Sequence, residues 1–305
     1  MKVTVTGATG TLGSAIVAEL LARGDEVTVL SRNAESARRK LSGVTALTWP
    51  DPKAAPPPAE ALRGRDAIVH LIGEPVAQRW SDAVKKEIRD SRVLSTRHLV
   101  GGVEQLAEAD RPGVLVSGSA TGFYGPSGDE RVDESAPAAD GFLAEVCVAW
   151  EAEARRGEAL GLRVPITRTG VVLSGGGGAL EKMLPPFKLG VGGPVAGGRQ
   201  YVPWIHTDDV VGAILFCLDT QSASGPVNLT APEPVTNAEL SKALGRVLKR
   251  PAVAPVPAFA IKALYGEMAS IVTSGARAVP KRLQELGYVF RRPDLEDALR
   301  AATGK

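Results

Sequence analysis

KVTVTGATGTLG, residues 2–13, decides how this 305-residue chain is read. Lys2 to Thr6 is a short β-branched run, which spells a strand. Gly7, Gly10 and Gly13 then make a G-x-x-G-x-x-G turn. Behind the turn, residues 11–23 place Leu12, Ile16 and Leu20 at helical spacing, with Ala15 and Glu19 alongside and Gly24 as a stop. Glycines at such spacing are weak evidence alone. Between a strand and a helix they form the turn that cradles a dinucleotide pyrophosphate. The backbone turns tightly, the phosphates approach closely, and the free N–H groups at the helix N-terminus attract them.

Outward from this unit the alternation of strand and helix persists. Strands are expected at EVTVL (26–30), GVTALTW (around 45), DAIVHLIG (66–73), GVLVSGS (113–119) and LRVPITR (162–168), with helices over 81–109 and 142–160. This pattern implies βαβ units and an α/β fold: a Rossmann-type doubly wound parallel sheet covered on both faces. The proline-rich PDPKAAPPP (50–58) reads as a loop. Past residue 173 the texture changes, and 174–200 reads as a Gly/Pro-rich, loop-dominated excursion with one short helix. A helix at 209–220 and a strand at 226–230 follow. The expected organisation is a dinucleotide-binding domain over 1–230, with 174–200 on its substrate side, and a smaller, mainly helical substrate domain over 231–305. GGPVAGGRQYVPW is expected to bring Arg199, Gln200, Tyr201 and Trp204 together at the pocket.

The end of the second strand selects between nicotinamide cofactors. An NAD site places Asp or Glu there for the ribose 2′-hydroxyl. Here the strand ends Leu30-Ser31-Arg32-Asn33, without a carboxylate. Arg32 can pair with a 2′-phosphate and Ser31 can donate to it, which favours NADP(H) over NAD(H).

Composition excludes several classes. Thirty-six Lys and Arg against 34 Asp and Glu leave a net charge of +2, no footprint for a nucleic-acid partner. Two cysteines, Cys147 and Cys217, cannot build a disulfide framework or a Cys-rich zinc site. The apolar run at 210–218 falls short of the ~20 residues a bilayer span needs, and the start lacks a signal-peptide core. The expectation is a cytoplasmic protein without a membrane partner, acting on a small molecule. His206, Asp208 and Asp209 lack a further ligand at metal-site spacing, so no metal is expected. Thr207 or Asp208 is expected to cap the helix that follows, and Cys147 to be a small buried hydrophobe.

TGATGTLG, SGSATGFYG and WIHTDDVVGAI together resemble the extended short-chain dehydrogenase/reductases, the group of sugar-nucleotide epimerases and dehydratases. LIGEPVAQRW, KKEIRDSRVLSTRHLV, FLAEVCVAWEAEA, GGPVAGGRQYVPWIHTDD and VPKRLQELGYVFRRPDLEDAL look like the atypical subgroup called epimerase family protein, with its C-terminal domain of unknown function. The resemblance spans essentially the whole chain. It implies a phosphate loop of Gly7, Thr9, Gly10, Thr11, Leu12 and Gly13, with Ser31 and Arg32 at the 2′-phosphate. It further implies Leu71 and Ile72 over the adenine and ribose, Glu87 and Arg92 beneath the nicotinamide half, and Val172 at the carboxamide.

The same resemblance exposes a departure. The parent superfamily uses a Tyr acid/base, a Lys four residues later, an upstream Ser and an Asn on the central helix. No Tyr of this chain has Lys at i+4. FLAEVCVAWE puts Leu143 and Cys147 at the pair's positions, and Arg92 replaces the Asn. Ser119 survives, and Tyr124 beside it is the expected alternative proton donor, with Glu74, Arg79, Trp80 and Glu145 as further groups facing the crevice. Two functions follow: an NADP(H)-dependent oxidoreductase or epimerase-like enzyme on a small carbonyl, hydroxyl or sugar-type substrate, or a cofactor-binding sensor that has lost turnover. The helices starting at 81 and 142 are the pair that related folds use for a homodimer, and a monomer is equally compatible.

Overall fold

Seven strands pair side by side in the computed structural model, which describes all 305 residues. They are β1 (Lys2–Thr6), β2 (Glu26–Ser31), β3 (Thr45–Thr48), β4 (Ala67–His70), β5 (Val114–Ala120), β6 (Pro165–Thr169) and β7 (Gly225–Leu229). The order across the sheet is β3-β2-β1-β4-β5-β6-β7, and every neighbour is parallel. The chain winds one way from β1 and then the other, so the reversal falls between β1 and β4. A crevice opens there, beyond the strands' carboxyl ends.

Both sheet faces are covered, which is why the central strands are buried along almost their whole length, Thr4, Thr6, Thr28 and Ser117 included. Val3, Val5, Val29, Val69 and Val116 point to one face and join Ile16, Val17 and Leu20 of α1 (Thr11–Ala22) in the largest core. Ala34 and Ala37 of α2 (Ala34–Lys40) complete that core's edge. Ile68, Leu115 and Ile166 point to the other face. They meet Leu99, Val100 and Val103 of α3 (Asp82–Glu104) and Ala154 of α4 (Phe142–Arg155). The Ser81 hydroxyl caps α3 by accepting from Val84 N–H at 3.3 Å. The helix expected to reach residue 109 ends at Glu104. Gly101 and Gly102 weaken its last turn, and a separate 3₁₀ turn, Glu108–Asp110, follows.

The excursion after β6 is more ordered than its composition suggests. α5 (Gly178–Lys188) runs eleven residues, straight through Pro185 and Pro186. α6 (Thr207–Asp219) returns to the first face with Val210, Val211 and Ile214. Its cap is a correction. The His206 ring, rather than Thr207 or Asp208, accepts at the N-terminus, from Asp208 N–H at 3.1 Å, while the Thr207 hydroxyl donates to the Leu173 carbonyl.

Five helices follow: α7 (Asn237–Leu248), α8 (Ala258–Tyr265), α9 (Ser270–Thr273), α10 (Lys281–Glu285) and α11 (Leu295–Thr303). Leu240, Leu244 and Val247 of α7 and Leu299 of α11 share a third core with Leu173, Leu180, Phe187 and Trp204. That core therefore draws on both sides of residue 230. Short strand pairs stitch the same regions together. Tyr201–Val202 runs antiparallel to Val235–Thr236, and Arg131–Val132 parallel to Arg277–Ala278. No helix is long and apolar enough to cross a membrane.

Candidate functional site

The glycine turn is shaped by close backbone approach. Gly7 has φ +67°, and a Cβ there would sit 2.7 Å from the Leu71 carbonyl oxygen. A Cβ on Gly13 would lie 2.3 Å from the Gly7 carbonyl oxygen, so only glycine lets α1 pack this tightly onto the turn. Gly10 differs, because its Cβ would meet only the Gly7 oxygen at 3.3 Å. Gly10 is the N-cap of α1, and no side chain caps the helix. The first-turn amides of Thr11, Leu12 and Gly13 thus have no intrahelical acceptor and lie at the positive end of the helix. Thr9, Gly10 and Thr11 are exposed, leaving the cradle open. A pyrophosphate fits it.

At the end of β2, the Ser31 hydroxyl donates to the Asn33 carbonyl at 3.1 Å and accepts from Asn33 N–H at 3.2 Å. Arg32 is exposed and forms no hydrogen bond or ion pair with the chain. Leu71 and Ile72, half-buried beyond β4, pack on opposite cores, and Leu71 N–H donates to the Thr6 hydroxyl at 3.2 Å. These residues surround the β1/β4 switch point. Val172 lies further along, in the strand Val171–Leu173 that pairs with Trp204–His206. The Glu87 carboxylate accepts from Lys53 Nζ at 2.8 Å, tying α3 to the proline-rich loop.

Arg92 reaches from α3 to the underside of Gly73, where a Cβ would stand 2.8 Å from its Cζ. Nη1 donates to the carbonyls of Glu74 at 2.9 Å and Ile88 at 3.0 Å. The guanidinium lies over the Trp150 ring, 5.4 Å from its centroid. Burial pulls its basicity down.

Ser119 and Tyr124 do come together, but inside a buried network. The Ser119 hydroxyl donates to Glu151 Oε1 at 2.7 Å. Arg168 grips the same carboxylate with Nε at 2.8 Å and Nη2 at 2.9 Å, both side chains almost fully buried. The Tyr124 hydroxyl donates to Asn228 Oδ1 at 2.6 Å and accepts from Arg168 Nη1 at 3.0 Å. Burial pushes its pKa up to about 12 against the pull of Arg168. The phenol expected as a proton donor is thus engaged on both sides within the buried network.

The other crevice candidates spread out. Trp80 stacks edge-on with Phe142 at 5.1 Å, Arg79 and Glu145 are exposed, and Glu74 N–H donates to the Ser91 hydroxyl. Trp204 is a core residue, Nε1 donating to the Glu233 carbonyl. Gln200 donates to the Val272 carbonyl, Tyr201 lies under Arg277, and Arg199 is exposed, so these four do not form one wall. Cys147 is a buried thiol, burial pushing its pKa up to about 11. No cluster of His, Cys, Asp or Glu is arranged to hold a metal.

Sequence alone does not pair Glu151 with Arg168, and it offers Asp209 only as a candidate metal ligand rather than as an anchor. This carboxylate accepts from Tyr288 Oη at 3.1 Å, Arg291 N–H at 2.7 Å and Arg292 N–H at 2.9 Å, anchoring the C-terminal tail. The acid doublet after His206 was the available signal.

The NAD dependent epimerase/dehydratase family profile matches residues 3–229, and a domain of unknown function, DUF1731, matches residues 256–302. An epimerase family protein of Mycobacterium bovis is 41% identical over 99% of this chain and 97% of its own. The chloroplastic epimerase family protein SDR39U1 homolog of Arabidopsis thaliana is 40% identical over 99% of this chain and 86% of its own. Among solved structures, human epimerase family protein SDR39U1 with NADPH superposes with a TM-score of 0.88 at 34% identity, covering all of both chains.

Proposed function

The chain belongs to the NAD dependent epimerase/dehydratase family, and from that premise we propose that it binds NADP(H) and acts as an oxidoreductase or epimerase-like enzyme on a small carbonyl, hydroxyl or sugar-type substrate. One observation carries the cofactor reading: the uncapped α1 over its glycine turn leads directly to an unpaired Arg32 at the end of β2. The N–H groups of α1 take the pyrophosphate, and Arg32 and Ser31 take the 2′-phosphate. The NADPH in the human relative's structure supports the same choice. When bound, the cofactor supplies hydride chemistry. The chain's part is to hold its phosphates, floor the crevice with Leu71, Ile72 and Gly73, and place Arg92 beneath.

A second reading rests on its own observation. Leu143 and Cys147 stand where an acid/base pair is expected, and Tyr124 is engaged on both sides. A protein so built could sense the cofactor without turning it over.

Paired calorimetric titrations with NADPH and NADH test the cofactor reading. Charged hydrogen bonds are worth about 1.5–3 kcal/mol, so Arg32→Ala should weaken NADPH roughly 10- to 150-fold and leave NADH nearly unchanged. Equal wild-type affinities, or equal losses, would overturn it. A carbonyl substrate panel with NADPH then separates enzyme from sensor by the presence or absence of substrate-dependent oxidation.

A further inference from the structure

Arg92 is a cation without a counterion. Arg168 holds the Glu151 carboxylate, and Arg163 donates to the Cys217, Leu218 and Ala223 carbonyls at the C-terminal end of α6. No carboxylate lies within ion-pair distance of Arg92. Its Nη1 is taken by two carbonyls, whereas Nε and Nη2 donate to nothing in the chain and are not sealed off from solvent. Of the nearby acids, Glu87 is committed to Lys53 and Glu151 to Arg168 and Ser119, while the Glu74 carboxylate stands outside ion-pair distance and only partly offsets the effect of burial on Arg92. Its other neighbours, the Trp150 ring and the Cys147 thiol, carry no charge.

Position gives this charge a meaning. With the 2′-phosphate end at β2 and the pyrophosphate at α1, an extended dinucleotide crosses the sheet edge toward β4 and β5. Arg92 lies just past β4, pressed under Gly73 and against α4. The far end of the cofactor is its nicotinamide. The oxidised ring is a cation and the reduced ring is neutral. In a site partly withdrawn from water, two like charges a few ångströms apart repel far more than in bulk.

Building on the NADP(H) reading above, we infer that the unmatched guanidinium of Arg92 makes this crevice select the reduced, uncharged dihydronicotinamide over the oxidised, cationic ring. The protein then holds its cofactor as a hydride donor.

The test measures binding, without turnover. Wild type is titrated with NADPH, NADP⁺ and 2′-phospho-ADP-ribose, which lacks the ring. NADPH should bind at least tenfold tighter than NADP⁺, and NADP⁺ no tighter than the ringless compound, because its ring adds repulsion. Arg92→Met should bring the two oxidation states within about threefold, chiefly by tightening NADP⁺, and Arg92→Lys should keep most of the wild-type ratio. Should Arg92→Met fail to fold, the three-ligand comparison on wild type still decides. NADP⁺ clearly tighter than the ringless compound, or an Arg92→Met ratio equal to wild type, overturns the inference. Failure of wild type to bind any of the three would instead overturn the cofactor reading beneath it.

Discussion

Gly10 and Gly13 are three residues apart and carry different loads. A methyl group on Gly13 collides with backbone at 2.3 Å and 2.8 Å, so α1 must back away from the turn. Gly13→Ala should cost about 1–3 kcal/mol of stability as well as NADPH affinity. Gly10 meets one atom at 3.3 Å, and its extra methyl would occupy the space open to phosphate. Gly10→Ala should cost under about 1 kcal/mol of stability yet weaken NADPH comparably. Chemical denaturation beside calorimetry checks both, and equal stability losses would refute the distinction. The buried network behaves differently. Tyr124→Phe strips Asn228 and Arg168 of a partner, so it should lose about 1–3 kcal/mol of stability while the folded protein keeps its cofactor affinity. With a pKa near 12, Tyr124 stays neutral throughout the working range. Any activity inflection between about pH 6 and pH 9 must belong to another group, and the same inflection in Tyr124→Phe would show it. Glu151→Leu leaves Arg168 buried and unmatched, which should cost about 3–5 kcal/mol by urea unfolding.

Three elements meet at His70. The ring on β4 shares hydrogen bonds with the Thr6 hydroxyl of β1 at 2.7 Å and the Thr96 hydroxyl of α3 at 3.0 Å, directly below the cofactor turn. Complete burial lowers its pKa from 6.5 to about 3. The unfolded chain therefore takes up a proton that the folded one refuses, and stability present above pH 6.5 is lost as pH falls toward 3. Between about pH 7 and pH 5 that loss should reach about 2 kcal/mol. Urea midpoints across this range should fall for wild type and flatten in His70→Gln, and parallel slopes would refute the assignment. His70 sits in DAIVHLIG, which spelled its strand plainly. The strands, α1 and the phosphate turn were legible because each is written in adjacent residues, as period, β-branching or glycine spacing. The length of α5 was not, since Pro185 and Pro186 argue against helix. Nor was the network of Arg168, whose partners Glu151 and Tyr124 lie 17 and 44 residues away, with Asn228 104 residues from Tyr124. A charge on a strand looks solvated until the fold brings its counterion.

At the scale of the molecule, the question is whether residues 231–305 are an appendage or a share of the core. Leu240, Leu244, Val247 and Leu299 cover Leu173, Leu180, Phe187 and Trp204, and Leu283 of α10 enters the largest core beneath the sheet. Asp209 fastens the tail at Tyr288, Arg291 and Arg292. Burial of one large apolar side chain is worth about 1.5–3 kcal/mol, so uncovering the first four would remove roughly 6–12 kcal/mol. That is comparable with the ~5–15 kcal/mol that holds a typical native protein together. Deleting residues 231–305 should therefore leave a chain without a cooperative unfolding transition, sticky through its exposed apolar cluster, and with NADPH affinity lost although every phosphate-loop residue remains. In the full chain, tryptophan fluorescence should follow one transition with the far-ultraviolet dichroism, because Trp49 belongs to the second core and Trp204 to the third. A truncated chain that stayed soluble, unfolded cooperatively and bound NADPH unchanged would show the third core to be dispensable, with the sheet and its two covered faces standing alone.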